Sequence, residues 1–157
     1  MTEAMEMPTP TLPRTGACAC GAVRWKALIA ATAGACHCGT CRRWSGGVFL
    51  SVNSAALSWT AGHDRIAVWT SSPWAERGHC RDCGSALFYR VTAEGPMRGE
   101  THLAAGTLDD AEGLTLGIEV HADAQPAYYR FAQETTRMTE AEVLTFFGIE
   151  PDATPAA

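Results

Sequence analysis

The chain has 157 residues, 46% of them apolar and 18% charged, with a formal net charge of −5. That length suits one folded domain, and the apolar share excludes a disordered chain. The negative charge argues against general affinity for nucleic acid phosphates, and the longest bland stretch, "ALIAATAGA", falls far short of the ~20 apolar residues that a membrane-spanning helix needs.

The chain opens on "MTEAMEMPTPTLPRTG", with Glu3, Glu6 and three prolines and without the basic start and apolar run of a signal peptide. Residues 1–13 read as a flexible lead, residues 14–150 as a single domain and residues 151–157 as a tail. Cytoplasmic localisation is expected, with small molecules rather than nucleic acid or membrane as partners and the oligomeric state left open. Seven cysteines is an odd count, and clustered cysteines in a reducing compartment more often bind metal than form disulfides.

The first cysteine pair, Cys18 and Cys20, lies in "GACACGAV". A C-x-C pair puts both side chains on one side of an extended chain, and Gly21 lets that chain bend. A strand is expected at 22–28. Next comes "ACHCGTC", with Cys36, Cys38 and Cys41 inside six residues and His37 pointing the other way between two of them. A short helical turn through "RRWS" then carries Arg42 and Arg43, which could steer an anionic ligand toward the cysteines or simply form a solvated face.

Further strands are expected at 48–53, 57–61 and 66–71, by β-branched and aromatic content. The third group, "GHCRDCGSALF", holds Cys80 and Cys83, with Gly84 suited to a tight knuckle. Strands follow at 86–91, 101–108 and 114–121. Asp109 and Asp110 read as turn residues, with proton transfer the alternative role. Near the end, Thr139 and Glu142 form a capping box before Val143, Leu144 and Phe147, so a short C-terminal helix closes a mainly β domain.

The sulfurs divide naturally as four plus three. Cys36, Cys38 and Cys41 are close enough in sequence to share one ion. Cys18, Cys20, Cys80 and Cys83 then form a second, complete set. Spacing alone does not forbid other pairings. Four thiolates fill a tetrahedral zinc, whereas three leave a position for water or a substrate thiol. The other readings are disulfides or free thiols for the four, and a closed site completed by histidine or a metal-free redox cluster for the three. His79 and His121 are the nearest candidate extra ligands, and His63 and His102 read as surface or strand residues.

The segments "GACACGAVRW" (16–25), "CHCGTCRRWSG" (36–46), "RGHCRDCGSALF" (77–88) and "HLAAGTLDD" (102–110) resemble the glutathione-dependent formaldehyde-activating enzymes, grouped with centromere-protein-V-like domains. The resemblance covers about residues 14–130. It implies a β-tent zinc fold of short antiparallel strands with zinc knuckles. It also implies two zinc ions, one structural on Cys18, Cys20, Cys80 and Cys83 and one catalytic on Cys36, Cys38 and Cys41. The implied activity joins formaldehyde to glutathione, formally the reverse of a carbon–sulfur lyase, with glutathione as co-substrate. Tyr128 and His79 stand where many relatives carry Trp and Phe. Two functions are therefore carried forward: a zinc-dependent carbon–sulfur lyase or adduct-forming enzyme, and a non-catalytic zinc module that binds a protein or thiol metabolite. A redox sensor is a third.

Overall fold

The computed structural model describes residues 6–149. The expected tail at 151–157 and the first five residues of the expected lead lie outside them. In chain order the strands are β1 (Leu12–Ala17), β2 (Arg24–Ile29), β3 (Thr32–Cys36), β4 (Phe49–Ala61), β5 (Ile66–Ser72), β6 (Ala75–Cys80), β7 (Ala86–Val91), β8 (Thr101–Ala104), β9 (Thr115–Val120) and β10 (Thr136–Arg137). The two α-helices are α1 (Gly39–Ser45) and α2 (Glu140–Phe147). The mainly β expectation holds. No helix among the described residues is long and apolar enough to cross a membrane.

Strand β4 organises the sheet. β2 and β3 both run antiparallel to it, one after the other, as a single strand interrupted near Ala30. β8 pairs with β4 at Ser51–Ser54, and β7, β6 and β5 continue outward in antiparallel order. β1 adds to β2 on the far side. The antiparallel expectation has two exceptions, since β9 pairs parallel with β3 and β10 parallel with β9. Both follow long excursions of chain that return in the same direction, as parallel pairing requires.

The two strands expected at 48–53 and 57–61 are one. Ser54, Ala55 and Ala56 look like a break in sequence, yet the ladder passes through them. Residues 55–58 of β4 span the same ladder step as residues 26–28 of β2, so β4 bulges there. Ala56 takes φ 52° at this bulge, which bends the strand. β1 also starts inside the expected lead, at Leu12. Pro13 is accommodated because β1 is an edge strand, where a missing N–H need not break a ladder. The run expected as strand at 101–108 is strand only to Ala104 and then turns through a 3-10 helix at Ala105–Thr107.

The core lies where β2, β4, β7 and β8 face inward. β2 alternates strictly, burying Trp25, Ala27 and Ile29 while Arg24, Lys26 and Leu28 face out. Trp25, Ile29, Val52, Leu87, Phe88 and Leu103 are buried together. Each large apolar side chain so buried stabilises the fold by roughly 1.5–3 kcal/mol. Gly16 and Gly78 make room for the two aromatic rings, since a Cβ would sit 2.3 Å from Trp25 and 2.2 Å from Phe88 respectively. A second, smaller cluster joins Cys41, Phe49 and Ala104, with Trp44 and Tyr89 packed on it. This cluster is the floor on which the three-cysteine group rests. At the end of the described chain, Thr139 caps α2 with the expected box to Glu142.

Candidate metal centres and cavity

Two similar turns build the four-cysteine group. After β1, Cys18 accepts from Gly21 N–H at 3.1 Å and donates its own N–H to Val23 O at 3.0 Å. After β6, Cys80 accepts from Gly84 N–H at 2.9 Å and donates to Ser85 O at 3.0 Å. Gly21 and Gly84 take φ 79° and 77°, a region that side chains disfavour. Ser85 ties the turns together: its hydroxyl accepts from Ala19 N–H at 2.9 Å and lies 3.1 Å from the Cys83 sulfur. That hydroxyl pulls the Cys83 thiol down to about 5.

The Cys18, Cys20, Cys80 and Cys83 sulfurs all lie within 4.8 Å of one another. Cys18 to Cys20 is 3.6 Å and Cys20 to Cys80 is 3.9 Å. A tetrahedron of ~2.3 Å metal–sulfur bonds has edges of about 3.8 Å, so the spacing fits one ion. It does not fit disulfides, which need about 2.05 Å, and all seven cysteines are free thiols. Val23 N–H also donates to Cys18 Sγ at 3.3 Å, supplying a hydrogen bond that favours thiolate.

The three-cysteine group is built differently. Cys36 ends β3, Cys38 is the N-cap of α1 and Cys41 sits in its first turn. The Cys38 sulfur acts as the cap, accepting from Cys41 N–H at 3.3 Å. These three sulfurs also lie within 4.8 Å of one another, and no fourth His, Cys, Asp or Glu joins them among the described residues. Hydrogen bonds from Cys36, and then from Cys41, push the Cys38 thiol down to about 2. The Cys36 thiol, bonded to Cys38, is raised well above its ordinary value. Negative charge thus collects at Cys38, and an ion bound here would let all three sulfurs release their protons.

A cavity of about 230 Å³ opens over this group, walled largely by apolar side chains that include Phe49, Trp74, Val143 and Phe147. β4, β6, β7 and α2 all contribute to it. His121 and His102 line it without entering the sulfur group. His79, on β6, joins neither group of cysteines. The cavity wall also contains Arg77, which is 4% exposed. Its Nη1 donates to Cys41 Sγ at 3.2 Å. Its guanidinium carbon lies 5.3 Å from the Trp44 ring centre and 5.1 Å from that of Tyr89, within cation–π range.

The expected cations, Arg42 and Arg43, are placed on α1 but do not line the cavity. Arg42 Nε donates to His37 O at 2.9 Å, so this arginine braces the C-x-C segment. Asp109 accepts from Thr15 Oγ1 and Arg24 Nη2 at 2.6 and 2.8 Å, and Asp110 accepts from Glu112 N–H at 2.9 Å. The Asp110 contact is a turn contact, whereas Asp109 ties its segment to β1 and β2.

Behind the cysteines, His37 is fully buried and points away from the sulfurs. Its Nε2 meets Glu119 Oε1 at 2.7 Å and its Nδ1 meets the Tyr129 hydroxyl at 2.5 Å. Glu119 also accepts from Arg137 Nη1 at 2.7 Å and from the Thr135 hydroxyl. Burial alone would raise its pKa, but the hydrogen bonds from Thr135, His37 and Arg137 outweigh this and hold it below the usual value. Sequence reasoning missed Arg77, Glu119 and Tyr129. A signal existed only for Glu119, the one acidic residue in the apolar run "LTLGIEVH".

Three comparisons bear on this geometry. The chain is 29% identical over 130 residues to an uncharacterized lyase of Schizosaccharomyces pombe, covering 82% of this chain and 93% of that one. It is 37% identical over 68 residues to a protein of Phaeosphaeria nodorum named "Putative glutathione-dependent formaldehyde-activating enzyme", covering 41% of this chain but only 36% of that one. A crystal structure of a Rhodobacter sphaeroides protein shares the fold at TM-score 0.51 and 22% identity, covering 60% of this chain and 87% of that one. The model of the glutathione-dependent formaldehyde-activating enzyme family matches residues 13–125, most of the chain and all seven cysteines. The chain therefore belongs to the glutathione-dependent formaldehyde-activating enzyme family.

Proposed function

We propose that the protein is a zinc-dependent carbon–sulfur lyase or adduct-forming enzyme that acts on a thiol such as glutathione and a small carbonyl such as formaldehyde. One observation carries this reading: three clustered sulfurs, with no fourth side-chain ligand among the described residues, open on a cavity. Two zinc ions per chain are proposed. The ion held by Cys18, Cys20, Cys80 and Cys83 would be coordinatively full and structural. The ion held by Cys36, Cys38 and Cys41 would carry less thiolate charge and keep an open position. Zinc at such a position lowers the pKa of an approaching thiol, making a nucleophile at neutral pH.

The chain's own residues have distinct tasks in this reading. Cys36, Cys38 and Cys41 fix the centre at the cavity wall, and the lining around it is largely apolar. His37, held by Glu119 and Tyr129, locks the backbone between two of the ligands. Arg42 and Arg43, on α1 outside the cavity, would meet only those anionic ends of a long thiol such as glutathione that extend beyond it. In the forward reaction a thiolate sulfur donates an electron pair to the carbonyl carbon. The S–C bond forms, the C=O π bond breaks, and the oxygen keeps the pair and takes a proton from water. The lyase direction reverses each change. In the cytoplasm, where this family member is proposed to work, thiols remain reduced and such adducts can form.

Metal analysis coupled to glutathione titration tests the proposal. Two zinc ions per chain are expected, with glutathione perturbing only one and formaldehyde then consumed as adduct. A protein that ignores glutathione and every related thiol is a non-catalytic zinc module instead.

A further inference from the structure

We propose that Arg77 is an oxyanion receptor: its guanidinium, anchored on Cys41 and packed near two aromatic rings, receives an anionic oxygen carried next to the substrate sulfur. This rests on the reading above that a substrate thiol reaches the three-cysteine centre. Arg77 is the only buried arginine or lysine among the described residues. Among those residues it has no carboxylate partner; the partner of its Nη1 is the Cys41 sulfur. Its Nε is buried with no hydrogen-bond partner. A guanidinium has five N–H donors in a fixed plane, so most of this one is uncommitted. Nε itself is closed off from the cavity, but Arg77 lines that cavity and only its Nη1 is hydrogen-bonded among the described residues, so the remaining guanidinium N–H groups can take a ligand there.

The surroundings fix where that ligand sits. Trp44 and Tyr89 lie close to the guanidinium and restrain it. Nη1 stands 3.2 Å from Cys41 Sγ. Ligands sharing a tetrahedral ion with Cys41 lie about 3.8 Å from its sulfur. A substrate sulfur on such an ion would thus lie no more than about 7 Å from Nη1, and a group one or two bonds beyond it on the Arg77 side would meet the guanidinium. Oxygen is the atom that becomes anionic there. When the S–C bond forms and the C=O π bond breaks, the electron pair moves onto oxygen before water supplies the proton. Guanidinium donors aimed at that oxygen stabilise it where charge develops. Arg42 and Arg43 do not line the cavity, so Arg77 is the arginine placed for this task.

The test uses cobalt-loaded full-length protein, with ethanethiol and mercaptoacetate as probes and the cobalt absorption bands as readout. Mercaptoacetate carries its anionic oxygen close to the sulfur, and ethanethiol has none. The wild type is expected to bind mercaptoacetate about tenfold tighter than ethanethiol, the scale of one hydrogen bond to a charged group. Arg77→Met should abolish the preference while leaving ethanethiol affinity within threefold. Arg77→Lys, the milder variant should methionine weaken the centre, keeps the charge but loses the planar fork, and should lose most of the preference. A preference that survives in both variants overturns the proposal, as does its absence from the wild type. Loss of cobalt and of both thiols together in both variants would also overturn it, leaving Arg77 as a brace for Cys41. Wild type that shows the preference but forms no adduct with formaldehyde refutes the proposed reaction and leaves the oxyanion site standing.

Discussion

Replacing Cys80 and Cys38 by serine, one at a time, should damage the protein unequally. An ion on the four-cysteine group joins Cys20 to Cys80, 60 residues apart. An ion on the three-cysteine group joins Cys36 to Cys41, five residues apart. Loop-closure entropy grows as (3/2)RT ln n, so a twelvefold difference in loop length makes the long cross-link stabilise by about 2 kcal/mol more. Burial adds to the difference. Cys80 is fully buried and Cys38 is not. A serine hydroxyl left without a partner in that interior costs a further ~1–3 kcal/mol. For a chain of this size the sum corresponds to about 6–20 °C in melting temperature. Thermal unfolding of zinc-loaded protein, followed by circular dichroism, measures both variants against the wild type. Cys80→Ser should melt at least about 6 °C below Cys38→Ser. Equal losses, or a larger loss at Cys38, would refute the division into a structural centre and an open one.

Three further substitutions probe the packing around these centres. Gly16→Ala should destabilise by ~1–3 kcal/mol, because the new Cβ would lie 2.3 Å from the Trp25 ring and 2.5 Å from Thr107 O, whereas Gly106→Ala, with nothing within 4 Å, should change stability by less than ~0.5 kcal/mol; chemical denaturation compares them. Glu119→Gln should lower stability at neutral pH by ~1–3 kcal/mol. Because hydrogen bonds hold the folded-state pKa of Glu119 below the ordinary carboxylate value, the wild-type advantage is fully present above that value and is lost as pH falls through the folded pKa. Denaturation at a series of pH values checks the sign, since metal release on acidification is common to both proteins. An advantage that grew on acidification would contradict the buried Glu119–His37 pairing.

What the sequence revealed follows from how local each feature is. β7 is legible because "ALFYRV" is aromatic and β-branched between Ser85 and a turn. α2 is legible because its capping box lies within four residues. β3, "TAGAC", is not, since alanine and glycine carry no strand signal, and its place beside β4 and β9 is set by distant partners. β6, "AERGHC", is absent from the expected strands because it carries no β-branched or aromatic residue, yet it is largely buried between β5 and β7. The site divides the same way. Cysteine spacing announces two groups because thiol pairs in tight turns are local. Arg77 reaches Cys41 across 36 residues, and Glu119 and Tyr129 reach His37 across 82 and 92. No periodicity encodes such contacts. Arg42 and Arg43 are conspicuous in sequence because they adjoin Cys41, while the cation beside the sulfurs comes from a distant strand, β6.

Cadmium NMR of the doubly loaded protein addresses the inequality of the two centres most directly. Two resonances are expected, and added glutathione should move only the one that Cys38→Ser abolishes. A single resonance, or a shift of both or of neither on adding thiol, would contradict a closed four-sulfur centre beside an open three-sulfur one.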